Sequence, residues 1–91
     1  MYYDNGDVEI HRAARRHGVS DEGIVHAVEH ALVVVDMDPD EEPPKLLFIG
    51  PGLTGNLLEV IMIELAGQRM LAIHAMPLRP TFFPLLTDGD S

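Results

Sequence analysis

The stretch at residues 56–65 constrains this chain more than any other, because it is apolar on both sides of an extended strand. Successive side chains along a strand point to opposite faces. Leu58, Val60 and Met62 therefore look one way with Glu64, while Leu57, Ile61, Ile63 and Leu65 look the other way with Glu59. A sheet with one wet face alternates apolar and polar residues. This strand does not, so the sheet that holds it needs cover on both sides. Its neighbours also read as strands. Val33, Val34 and Val35 are β-branched, residues 45–50 form a second run, and residues 69–76 a fourth after the turn at 66–68. Connections this short favour an antiparallel meander.

Ahead of the strands the period is helical. Asp7 is placed to cap a helix over 7–17 that stops at Gly18, a residue that readily takes the left-handed terminating conformation. At about 100° per residue, Ile10, Ala13, Ala14 and His17 share one side, and Arg12, Arg15 and Arg16 the other. Ser20 caps a second helix over 20–32, with Asp21 and Glu22 suiting the positive end of its dipole. Ile24, Ala27, Val28, Ala31 and Leu32 make its buried stripe; His26, Glu29 and His30 lie opposite. The tight turn between the helices predicts a hairpin.

The expected fold is thus α+β: a two-helix N-terminal hairpin packed on a four-stranded antiparallel sheet over 33–76, followed by a tail over 77–91. Pro77, Pro80 and Pro84 restrict that tail to an extended run or a single helical turn. With 91 residues the chain is expected to be a single domain over 1–91. Two short helices cover one face of such a sheet. The other is left to Leu78, Phe82, Phe83, Leu85 and Leu86, or to a partner chain such as a second copy.

Charge and composition narrow the function classes. Fifteen acidic residues against 6 basic ones give a formal charge of −9, which repels phosphate backbones at long range. The charge is uneven: Asp36, Asp38, Asp40, Glu41 and Glu42 form one acidic run, Asp88 and Asp90 lie in the tail, and Arg12, Arg15 and Arg16 cluster. A locally basic patch is therefore compatible with the acidic total. The absence of cysteine excludes a disulfide framework and a cysteine zinc site. No stretch approaches the roughly 20 apolar residues of a membrane span, and residues 1–7 lack the basic and apolar regions of a signal peptide. A cytoplasmic location without a membrane partner is expected.

Few motifs carry chemistry. His26, Glu29 and His30 match H-x-x-E-H, in which histidines four apart on one helix face grip zinc. Opposite the apolar stripe, and with no third ligand evident, they read better as a solvated helix face. Glu59 and Glu64 point to opposite strand faces and do not form a glycosidase-like carboxylate pair. Gly50-Pro51-Gly52 with Gly55 is a hairpin turn, too proline-broken for a phosphate loop. His74, near the end of its strand, reads first as a structural hydrogen-bonding group, and the arginine cluster first as a solubilising face.

Three segments in order nevertheless resemble a known family. They are Arg16-His17-Gly18-Val19-Ser20 with the run ending Val33-Val34-Val35-Asp36; Leu47-Phe48-Ile49-Gly50 followed by Asn56-Leu57-Leu58-Glu59-Val60-Ile61; and Ala72-Ile73-His74-Ala75-Met76-Pro77-Leu78-Arg79-Pro80. This order is similar to the BrnT-like toxins of bacterial type II toxin–antitoxin pairs, and the likeness covers residues 8–83. The resemblance implies a RelE-like fold and a metal-independent RNA endonuclease without a cofactor, neutralised by a ribbon-helix-helix antitoxin. It implies attack of the RNA 2′-hydroxyl on the adjacent phosphate, which needs a proton acceptor and cations. Carried over, His74 is the general base or acid, Arg79, Arg15 and Arg16 hold the phosphate, and His17 belongs to the basic junction. The sequence departs from the family after the last strand, where Arg79 is the only basic residue and Phe82 and Phe83 follow. The alternative is a non-catalytic interaction or dimerisation domain that uses its exposed sheet face.

Overall fold

A computed structural model of the chain describes residues 8–86. Within these residues five strands form one sheet: β1 (Val8–Ile10), β2 (Val33–Asp36), β3 (Lys45–Pro51), β4 (Leu57–Glu64) and β5 (Met70–Pro77). Their order is β1-β5-β4-β3-β2. Strands β2 to β5 make the antiparallel meander that their short connections favour. Strand β1 pairs in parallel with β5, matching Val8 to Met70 and Ile10 to Ala72.

That pairing overturns the expected two-helix hairpin on a four-stranded antiparallel sheet. The first of the two predicted helices is replaced by β1 and a 3-10 turn at Arg12–Arg15, so the sheet is five-stranded and mixed. The physical reason lies in competition for the edge of β5. Val8 alternates inward with Glu9 outward, and Val8 is buried in the core. Pairing on β5 also gives Glu9 an ion pair with Arg69 at 2.9 Å. The helical spacing of Ala13, Ala14 and His17 survives only as the 3-10 turn, which buries Ala14. Asp7, expected to cap that helix, lies outside the described residues, as do Asp88 and Asp90 of the tail.

The second predicted helix forms, but shorter. Helix α1 spans Asp21–Glu29, with the Ser20 side chain accepting a bond from the Gly23 N–H at 3.0 Å. It stops at His30 because Val33 to Asp36 are already paired with β3, and Leu32 N–H donates to the Ile49 carbonyl at 2.7 Å. Ile24, Ala27 and Val28 of α1 pack on Phe48, Leu58, Val60 and Met62. Gly50 sits where α1 crosses β3. No helix among the described residues is long and apolar enough to cross a membrane.

The other sheet face is also buried at Leu47, Ile49 and Glu59. After β5 the chain turns onto this face. Leu78 N–H donates to the Leu57 carbonyl at 3.0 Å, Arg79 reaches Glu59, and a 3-10 helix at Pro80–Leu86 follows. Phe82, Leu85 and Leu86 are half-buried, whereas Phe83 remains exposed. A register shift completes the arrangement: Ile61 faces His74 but Met62 faces Ala72, so Ile73 is an extra residue in β5. Such a bulge switches the face of everything beyond it. It keeps both Ala72 and Ala75 in the core under α1 and sends His74 to the face that carries Glu59.

Candidate functional site

The site is built around one carboxylate. Glu59 is fully buried in the middle of β4, and an ionised carboxylate there requires partners. Antiparallel register supplies them. His74, on the neighbouring strand and the same face, lies with its Nε2 2.8 Å from Glu59 Oε2. Arg79 closes over the carboxylate from the segment after β5: its backbone N–H donates to Oε1 at 2.9 Å, and its Nε and Nη2 to Oε2 at 3.0 and 2.6 Å. Arg79 also lies over the Phe82 ring, 5.6 Å from its centroid. Glu59 is thus buried while its partners reach solvent, the side chains of His74 and Arg79 being 24% and 47% exposed.

This geometry sets protonation and tautomer. Burial pushes the Glu59 carboxyl pKa up, but the hydrogen bonds from Arg79 and His74 outweigh it and hold the group below the ordinary glutamate range. An ionised carboxylate only accepts hydrogen bonds. His74 therefore donates its Nε2–H to Glu59, so that in the neutral form of the ring Nδ1 is the accepting nitrogen.

A second imidazole joins the first. Strand β1 pairs with Met70 to Ala72, so beyond Ala72 no strand of the described residues covers the outer edge of β5. The 3-10 turn and the residues after it fill that gap, and Gly18 takes φ +81° to turn the chain toward α1. Exposed His17 thereby reaches His74, ring centroids 5.8 Å apart and edge-on. His17, His74 and Arg79 come together as one cluster. Arg15 is drawn away: its Nε and Nη2 donate to Asp21 at 2.8 Å. Arg16 is exposed beside His17 and, like Arg12, makes no ion pair with a described residue.

Glu59 was not legible as a functional residue from strand alternation, which shows only that it shares a face with Ile61 and Ile63. One signal did exist: a carboxylate in an otherwise apolar row of a central strand must find a cation. The H-x-x-E-H segment differs from its expected solvated state. His26 is half-buried, with Nδ1 2.8 Å from the Pro51 carbonyl, and its ring stacks on His30 at 4.3 Å. No group of three or more metal-ligating side chains occurs among the described residues.

The charge on Glu59 makes a testable contribution to stability. Its folded pKa lies below its unfolded one, so the stabilisation is complete above the unfolded value of about 4.3. It is lost as pH falls through the depressed folded value. Glu59→Gln is expected to cost about 1–3 kcal/mol at neutral pH and to flatten the acid side of the stability curve. Urea midpoints measured from neutral to acid pH check this. Parallel acid slopes in the two proteins would remove Glu59 as the source.

No protein-family model, no curated protein and no solved structure matches this chain.

Proposed function

We propose that the chain is the toxin component of a type II toxin–antitoxin pair and cleaves RNA without a metal ion, subject to silencing by a ribbon-helix-helix antitoxin. The observation that carries this reading is the pair of imidazoles beside a carboxylate-anchored arginine. In the proposed reaction His74 Nδ1 takes the proton from the 2′-hydroxyl, whose oxygen attacks phosphorus. The bond from phosphorus to the 5′-oxygen breaks as His17, in its protonated form, donates a proton to that oxygen. One proton enters the site and one leaves. The products are a 2′,3′-cyclic phosphate and a 5′-hydroxyl. Arg79, fixed by Glu59 yet half-exposed, meets the non-bridging oxygens, and Arg16 extends the cationic surface. Fixed cations aimed at developing charge lower the barrier without reorganising.

The assay is incubation of the purified chain with single-stranded RNA in excess chelator, with the 3′ ends analysed. Cyclic phosphate ends are expected. Growth arrest on induced expression with intact RNA would retain a toxin and remove the ribonuclease.

A second reading has an observation of its own. The same contacts clasp the segment after β5 onto the sheet, since the Arg79 N–H and side chain both hold Glu59. In that case the cluster is structural and the chain is a non-catalytic interaction domain. Neither arrest on expression nor RNA cleavage is expected then.

A further inference from the structure

The far edge of the sheet from His74 carries a separate feature. Among the described residues strand β2 is an edge strand, bonded to β3 on one side only. Met37 N–H donates to the Lys45 carbonyl at 2.9 Å. By the two-residue alternation of an antiparallel ladder, Val33 and Val35 also bond toward β3, and Val34 and Asp36 direct their N–H and C=O groups outward. Beside these groups stand exposed apolar side chains: Leu32, Val34 and Met37 are 65%, 53% and 40% exposed. The edge continues into Asp36, Asp38, Asp40, Glu41 and Glu42. Of these only Glu41 has a cation, Lys45 at 3.7 Å, among the described residues.

We propose that this edge accepts, as a sixth strand, an extended segment of a partner protein in which apolar and basic residues alternate. Main-chain bonds to Val34 and Asp36 supply the pairing, as in strand addition to an open sheet edge. The exposed apolar side chains take alternate residues of the incoming strand, and the acidic run selects its lysines or arginines. The charge also argues against a second copy of this chain as the occupant. A copy would bring a net −9 and its own acidic run to the same edge, and charged flanks on short edges disfavour pairing of like chains. The inference does not depend on the chemistry at His74, which lies on the fourth strand from this edge.

The test uses the full chain and a blocked eight-residue peptide of alternating valine and lysine, followed by amide hydrogen exchange. Slower exchange at the Val34 and Asp36 amides is expected on adding the peptide. Val34→Pro removes an outward N–H that an edge strand does not need for its own fold, and is expected to weaken binding about tenfold. The same peptide N-methylated at alternate residues on its pairing side leaves the protein untouched and is expected to lose binding equally. Equal affinity for the methylated peptide, or no protection at Val34 and Asp36, would reduce the effect to adhesion on the acidic run and overturn the proposal. A dimer of the free chain that Val34→Pro abolishes would overturn it in favour of a second copy.

Discussion

His74→Ala is expected to lower RNA cleavage by about 10²–10⁴-fold, the usual worth of a positioned proton-transfer group, while the protein stays folded. The fold survives because Glu59 keeps the three Arg79 donors after the imidazole is gone. Glu59 therefore does not become a buried unpaired charge, the circumstance that makes truncating a buried pair severe. His17→Ala is expected to be similarly deficient on RNA, and the two variants separate on a substrate with an activated leaving group. A ribonucleoside 3′-phosphodiester of nitrophenol needs no proton on its departing oxygen. The residue that acts as acid becomes dispensable there, while the base is still required. With His74 as base, His17→Ala recovers on the nitrophenyl ester and His74→Ala does not. The reverse pattern would exchange the two roles. Full activity of His74→Ala on RNA would retire the cluster as a catalytic site and leave it as the clasp that holds the segment after β5.

The meander from β2 to β5 was legible in the sequence because its signals are local: β-branched runs, alternation along β4, and turns marked by glycine and proline. The parallel partner β1 was not. Residues 8–10 are too few to show a period of two, and their pairing with β5 spans roughly sixty residues of chain. Only tertiary competition for that edge decides between strand and helix there, and such competition overrides weak local preference. The site divides the same way. His17, His74 and Arg79 were marked by resemblance, but nothing local shows that the Ile73 bulge sends His74 to the Glu59 face. Arg15 shows the reverse. Helical spacing marked it only as an outward cation and the resemblance gave it the phosphate, whereas the first residue of α1, Asp21, lies 2.8 Å from its guanidinium. Where a helix was expected, a 3-10 turn beside β5 brings His17 around an edge that β1 leaves open, to 5.8 Å from His74.

Gly50→Ala is the substitution expected to damage the fold most for its size. The β-carbon it adds would fall inside the carbonyl oxygen of Ala27 and 3.0 Å from the α-carbon of Ala31. Both are backbone atoms of α1 and the residues that follow it, so no side chain can rotate out of the way. Relief requires moving α1 off β3. That shift is resisted by Ile24, Ala27 and Val28 in the core and by His26 on the Pro51 carbonyl. Overpacking of this kind costs about 3 kcal/mol, which in a domain of this size lowers the melting temperature by roughly 12–24 °C. Gly67→Ala is the comparison. Gly67 has open space around its α-carbon but a φ of +74°, so its substitution carries only the backbone strain of about 1–2 kcal/mol. Equal losses in the two variants would sink the close helix–sheet approach as the reason for Gly50. Adding Ala27→Gly to Gly50→Ala is expected to give no rescue, because the obstructing atom is the Ala27 carbonyl oxygen and not its methyl group. Because α1 begins just past the turn that delivers His17, any shift of the helix should also loosen the pair of imidazoles. Residual RNA cleavage by Gly50→Ala, assayed well below its melting temperature, is therefore expected to fall even where the protein remains folded.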